Sequence, residues 1–191
     1  MPEVALADLW LPILLSAVAV FVVSSVIHMA TPMHKKDMTE LPNQDAVLEA
    51  MRSAGVKPGG YFFPYAGSMK VMGEPAFIEK QNQGPVGFAT ILPNGPVKMG
   101  ASLATWFVYS AVIALFAWYI GTLCLPAGED TMRVFRITGT VAVLAFAVPN
   151  AENSIWRGVS WGVTARFMVD GLLYGLTTAG VFASMWPGGA S

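Results

Sequence analysis

Charged residues are scarce in this chain, because only 12% of its 191 residues are Asp, Glu, Lys or Arg. An ordinary soluble domain carries about 25% charged residues, enough to cover a surface that faces water. Here 54% of the residues are hydrophobic and the mean hydropathy is +0.55. A soluble domain would leave this apolar excess facing water, so we expect lipid to cover it.

Cysteine and the common catalytic motifs are also lacking. A lone Cys124 cannot form an internal disulfide, and a net charge of −1 gives no reason to expect a nucleic-acid partner. The sequence contains no Walker A loop, GxGxxG, CxxC, HExxH or GxSxG. We therefore predict a non-enzymatic protein without a cofactor.

Four apolar stretches are long enough to cross a bilayer, whose hydrocarbon core of about 30 Å needs about 20 helical residues. They cover approximately residues 9–29, 100–125, 134–149 and 164–186. The third is short and ends at Pro149, although a kinked polar segment could extend it to Trp156. Backbone groups in lipid must be paired, which favours helices. The predicted fold is an all-α integral membrane bundle of four transmembrane helices.

The 70 residues between the first two spans, 30–99, are expected to form a folded extramembrane loop. Their many aromatic and aliphatic side chains need a surface to pack on, unlike those of a disordered segment. The pattern predicts one helix from near Asn43 to Gly55 and a second that begins at Pro75. Short extended pieces are predicted at 61–64 and 87–92.

Lysine and arginine fall mainly on one side of the predicted spans. Seven lie in the loop 30–99, and Arg157 and Arg166 lie on the same side, whereas only Arg133 and Arg136 lie opposite. Cytoplasmic segments of membrane proteins are enriched in these residues. We therefore place the loop in the cytoplasm and both termini in the periplasm of a bacterial inner membrane.

Small residues recur every fourth position along the last span. Lipid weakens the hydrophobic drive between helices, so close backbone approach at small residues matters more for packing. This stripe is expected to pack inside the bundle rather than in a homodimer, and it comprises Gly171, Gly175, Ala179 and Ala183.

The two histidines of the chain, His28 and His34, lie close together after the first span, with Asp37 nearby. Imidazole and carboxylate suit zinc or iron, and imidazole with methionine thioether suits copper. Pro32 could turn both rings toward one point. However, the spacing matches no established metal pattern and Lys35 adds positive charge. A helix end at the lipid headgroups is the favoured interpretation, and a metal ion at His28 and His34 is the alternative.

A second polar cluster surrounds the end of the third span and the start of the fourth. Arg166 and Asp170 are four residues apart, so they share a helix face and can pair. An ionisable group within a span is costly and is a functional candidate by default. The cluster comprises Asn150, Glu152, Asn153, Arg157, Arg166 and Asp170.

Motifs along nearly the whole chain resemble those of a group of uncharacterised bacterial inner-membrane proteins. They are His28-Met29, Pro32, His34 and Asp37; Pro58-Gly59, Tyr61 and Phe63-Pro64; Gly84-Pro85 and Gly87-Phe88; Pro93, Gly95-Pro96 and Met99-Gly100; Val134-Phe135-Arg136; Ser154-Ile155-Trp156; and Asp170-Gly171-Leu172. The resemblance implies a bacterial inner-membrane location and carries no activity.

The favoured hypothesis is an accessory or assembly protein whose partners are the lipid bilayer and other membrane proteins or a second copy. One alternative is a small transporter or channel subunit that uses Asp170 and Arg166. The other is a metal-handling or redox membrane protein that uses His28 and His34.

Overall fold

Helices dominate the structure, a computed structural model that describes residues 6–188 of the chain. The four long helices are α1 (Leu6–Ala30), α5 (Met99–Cys124), α6 (Thr131–Phe146) and α8 (Trp161–Met185). The short helices are α2 (Gln44–Ser53), α3 (Met69–Met72), α4 (Pro75–Gln83) and α7 (Ala151–Arg157). The chain divides into two units, of which the second is Met38–Val97 and the first is the remainder.

The first unit contains four helical segments that are long and apolar enough to span a membrane. They are Trp10–Ala30, Met99–Cys124, Thr131–Arg157 and Trp161–Met185. Large apolar side chains such as Val22, Val26 and Phe116 remain more than half exposed on their outer faces. Lipid tails can pack against such an apolar outer surface, whereas its contact with water would be unfavourable. The prediction of a mostly helical protein with four apolar, membrane-length helices is confirmed.

The third of these segments is interrupted rather than straight. Helix α6 ends at Phe146, a 3-10 turn covers Val148–Asn150, and α7 follows. Pro149 has no N–H to donate, so its ring cannot continue the helical hydrogen-bond ladder. The Asn150 Nδ2 group donates to the carbonyl oxygens of Phe146 at 2.8 Å and Ala147 at 3.2 Å. These bonds stabilise the break, and the segment continues beyond it to Arg157.

Helices α6 and α8 make the most extensive helix contact of the first unit. A Cβ atom at Gly171 would lie 2.5 Å from the Cα of Ala147, and one at Gly175 would lie 2.7 Å from the backbone N of Val143. Further along, a Cβ at Gly139 would meet the Cβ of Ala179 at 2.9 Å. The two backbones therefore approach more closely than any side chain at these glycines would permit.

The other helix contacts close a ring in which α1 and α6 each lie between α5 and α8. At one end of this ring, buried Phe182 and Val134 pack with Trp186, and Ala183 packs against the same cluster. The Trp186 indole N–H donates to the carbonyl oxygen of Pro126 at 2.9 Å. At the other end, Phe146 and Tyr174 pack in a second cluster, close to the polar residues described below.

The second unit combines short helices with a two-stranded hairpin. Strand β1 (Gly59–Phe63) pairs antiparallel with β2 (Gly87–Ile91), and Phe62 lies opposite Phe88. Helix α2 follows Asn43 and ends before Gly55, and α4 begins at Pro75. The predicted helices and extended pieces of this region are confirmed.

Candidate metal centre

The first polar residues of the site come from the end of α1 and the turn that follows it. His28 lies in the last turn of α1, which ends at Ala30. Pro32 follows, and its carbonyl oxygen accepts a hydrogen bond from the backbone N–H of Lys35 at 3.2 Å. This turn reverses the chain, so that the His34 ring stacks on the His28 ring with centroids 4.5 Å apart and planes within 2°.

Asp170 of α8 completes the group. Its side chain is buried, with the residue only 1% exposed, and its Oδ2 lies 2.9 Å from His34 Nε2 and 4.0 Å from His28 Nε2. One ligand atom from each of these three residues lies within 4.8 Å of the other two. We call His28, His34 and Asp170 the metal triad.

The other nitrogen of each ring is already engaged. His34 Nδ1 lies 2.6 Å from Asp37 Oδ2, and His28 Nδ1 lies 3.0 Å from the carbonyl oxygen of Ser24. Both neighbours are acceptors, so we assign the proton of each neutral ring to Nδ1. Both Nε2 atoms are then acceptors, and they lie 2.9 and 4.0 Å from Asp170 Oδ2. Metal-binding histidines commonly show this arrangement, with the distal N–H held by a carboxylate or carbonyl.

The carboxylate of Asp170 has no aligned hydrogen-bond donor among the described residues, although His34 Nε2 lies within hydrogen-bond distance of it. Within residues 6–188, neither of its oxygens accepts a hydrogen bond, and His34 Nε2 also has no hydrogen-bond partner. The 2.9 Å approach of Nε2 to Oδ2 therefore brings two acceptors together when the ring is neutral. A buried carboxylate beside acceptor atoms is costly unless a cation lies between them. The arrangement requires either a metal ion or an additional proton.

The ion pair that the spacing of Arg166 and Asp170 allows is not present in the structure. The guanidinium of Arg166 instead contacts Asp37, with Nε 2.7 Å from Oδ1 and a second contact through Nη2. Arg166 lies one turn nearer the start of α8, where it is closer to the polar turn after α1. Among residues 6–188, the basic side chains within 4.0 Å of the Asp170 carboxylate are therefore those of His28 and His34.

The same contacts fix the state of Asp37. Burial by itself would raise the pKa of this carboxyl, but hydrogen bonds from His34 and Arg166 and the charge of Arg166 outweigh it. They hold the pKa of Asp37 below its usual 3.8. Asp37 is therefore ionised at neutral pH and accepts the N–H of His34. Asp37 contacts the Nδ1 atom of His34 and is not a member of the metal triad.

A cavity of about 1020 Å³ adjoins the metal triad and contains the remaining predicted polar residues in its lining. Of the metal triad, His28 and Asp170 form part of its wall, whereas His34 does not. Glu152 and Arg157 are exposed, whereas the others are partly covered. The predicted residues on this wall, besides Asp170, are Asn150, Glu152, Asn153 and Arg157.

Sequence reasoning noted every member of the triad but did not join Asp170 to the histidines. The histidines and Asp170 are more than 130 positions apart in the chain, and no local spacing indicates that they meet. The aromatic wall of the cavity, formed by Trp106, Phe146 and Tyr174, was also missed. The available signal was that a lone carboxylate in one span needs a partner from another.

Comparison with protein-family models, curated proteins and solved structures finds no match to this chain.

Proposed function

We propose that this chain is a multi-pass membrane protein that binds one divalent transition-metal ion through His28, His34 and Asp170. The observation that carries the proposal is the clustering of both Nε2 atoms around a buried carboxylate that has no aligned hydrogen-bond donor among the described residues. A divalent ion bound between these atoms would neutralise the carboxylate, and one imidazole would turn out of the present stack to direct its Nε2 lone pair at the ion.

The separations in the triad support a metal of ordinary size. Two ligands that each lie about 2.0–2.1 Å from a tetrahedral zinc ion are roughly 3.3 Å apart. The separations of 2.9 and 4.0 Å between Asp170 Oδ2 and the two Nε2 atoms bracket that value. All three ligand atoms lie within 4.8 Å of one another, so the ligands must draw closer by a few tenths of an ångström or more to bind one ion. Two imidazoles and one carboxylate suit Zn²⁺ or Fe²⁺.

Three protein ligands also leave a coordination position for another molecule. Structural zinc sites are normally closed by four protein ligands, whereas catalytic sites keep one position open. The cavity wall includes the exposed His28 and the buried Asp170, so a small molecule in the cavity would approach the open position from the side of His28. This favours the metal-handling or redox alternative over an accessory protein or a transporter.

Metal titration of the detergent-purified protein tests the proposal. Metal-free protein is titrated with Zn²⁺ in competition with a chromophoric chelator, alongside the His28→Ala/His34→Ala double variant. We expect one tightly bound ion per chain in the wild type and none in the variant. Equal, substoichiometric uptake by both proteins would reject the metal proposal.

We further propose a bacterial inner membrane as the location, with the segment 30–99 in the cytoplasm. Nine of the eleven Lys and Arg residues lie on that side of the spans, which supports this orientation. Alkaline phosphatase, active only in the periplasm, is expected to be active when fused after residue 191 and inactive when fused after Gly95. The reverse pattern would invert the orientation and leave the metal proposal intact.

A further inference from the structure

The cavity beside the metal triad has one closed end and one open end. Asp170, Tyr174 and Phe146 are no more than 6% exposed, so they form its closed end. Met99 and Trp156 are 62% and 75% exposed, so they form its mouth. Both mouth residues lie at the ends of membrane-length segments, where the hydrocarbon core would meet the headgroups.

One part of the wall is apolar and aromatic. The Trp106 ring lies 5.5 Å from that of Tyr174 and 6.0 Å from that of Phe146, measured between centroids. The indole N–H of Trp106 is occupied, because it donates to Ser24 Oγ at 3.0 Å. The aromatic part of the wall therefore offers contact area for hydrocarbon or a flat ring. The charged lining residues are the buried Asp170 and the exposed Glu152 and Arg157, and His28 on the same wall is also exposed.

We propose that the cavity binds a single-chain, membrane-soluble amphiphile with an oxygen-bearing head at the metal triad and its chain toward the mouth. The coordination of that head rests on the metal proposal above. A volume of about 1020 Å³ lies at the upper end of the range for small-molecule sites, roughly 300–1,000 Å³. The head fills the open metal position, and the aromatic wall covers the adjoining chain.

The chemistry of the head fits two sources, a quinol ring or an acyl carboxylate. Both place oxygen ligands on a metal and carry a long apolar chain. The aromatic wall accommodates either, since flat rings stack on it and methylene groups pack against it. Binding of decylubiquinol and of decanoate, each compared with the other, distinguishes the two sources.

Two matched leucines of α5 provide the test of the cavity itself. Leu103 and Leu115 lie on the same helix and are both 41% exposed, but only Leu103 belongs to the cavity wall. The substitution Leu103→Trp places a bulky ring in the cavity, whereas Leu115→Trp places it elsewhere on the helix. Neither leucine belongs to the metal triad, so zinc affinity reports whether each variant is folded.

The experiment measures the binding of decyl hydroxamate and acetohydroxamate to Zn²⁺-loaded wild type and to both variants. The tighter binder of decylubiquinol and decanoate is then measured on the same three proteins. We expect wild type to bind the decyl probe more tightly than the short one, with Leu103→Trp lowering decyl affinity about tenfold or more through steric exclusion. Leu115→Trp should match wild type. Equal decyl affinities in the two variants, with zinc affinity retained, would overturn the cavity proposal.

Failure of the metal proposal would look different. If no zinc binds, the decyl probe is measured on the metal-free protein by its effect on tryptophan fluorescence. Binding that Leu103→Trp weakens and Leu115→Trp does not would then support the apolar cavity and reject head coordination by a metal. Identical binding to all three proteins would reject both.

Discussion

Replacement of His34 by alanine or of Asp170 by asparagine is expected to weaken zinc binding by on the order of 100-fold or more. Loss of even a supporting residue around a metal ligand typically costs 10–100-fold in affinity, and loss of a ligand removes a bond directly. Each substitution also removes one member of the group whose ligand atoms lie within 4.8 Å. Competition titration with a chelator on purified protein measures the change.

Two further variants show whether the loss of zinc affinity is specific to the metal triad. Asp37→Asn keeps an oxygen near His34 Nδ1 but loses the charge that faces Arg166, so we expect an intermediate loss of about 10-fold or more. Glu152→Gln removes a carboxylate from the wall of the same cavity without touching the triad, and zinc affinity should not change. A loss in Glu152→Gln as large as that in Asp170→Asn would mean that the ion lies elsewhere in the cavity.

Gly171→Ala is expected to destabilise the bundle despite the higher helix propensity of alanine. The new Cβ would lie 2.5 Å from the Cα of Ala147 and 2.6 Å from its backbone N, so α6 and α8 must move apart. Overpacking of this kind costs about 1–3 kcal/mol and occasionally more. Because Asp170 precedes Gly171, the shift should also lower zinc affinity. Thermal unfolding in detergent, followed by circular dichroism, measures the destabilisation.

The same helix offers a matched control at Gly180. A Cβ there would meet no atom within 4 Å among the described residues, so Gly180→Ala should leave the unfolding temperature unchanged or slightly raised. Gly175→Leu should resemble Gly171→Ala, because a Cβ at Gly175 would lie 2.7 Å from the backbone N of Val143. Equal unfolding temperatures for Gly171→Ala and Gly180→Ala would contradict the close approach of α6 and α8.

The long helices could be predicted from sequence because their signal is local. Runs without charge, such as the one ending near Met29, indicate a membrane-length helix by composition alone. The break near Pro149 follows equally from the missing N–H of proline. The two extended pieces could be predicted for a similar reason, since Gly59–Phe63 and Gly87–Ile91 are each bounded by glycine and proline. Their antiparallel pairing was not predicted.

The site was harder to predict from the sequence, because its geometry depends on which helices become neighbours. Asp170 and Arg166 share a helix face, which suggested a local ion pair, but the turn after α1 brings Asp37 to Arg166 instead. Because Arg166 pairs with Asp37, Asp170 lies beside the two histidines and is not paired with Arg166. The sequence shows that each of these residues needs a polar partner, and only the packing of α1 against α8 decides which partner each one meets.

X-ray absorption at the zinc edge of the loaded protein tests the metal triad most directly. We predict a first shell of nitrogen and oxygen ligands at about 2.0–2.2 Å, with outer-shell scattering from two imidazole rings. The His34→Ala variant, loaded at high zinc, should retain the scattering of one ring. A zinc shell without imidazole scattering, or a spectrum unaltered in His34→Ala, would contradict a site built from His28, His34 and Asp170.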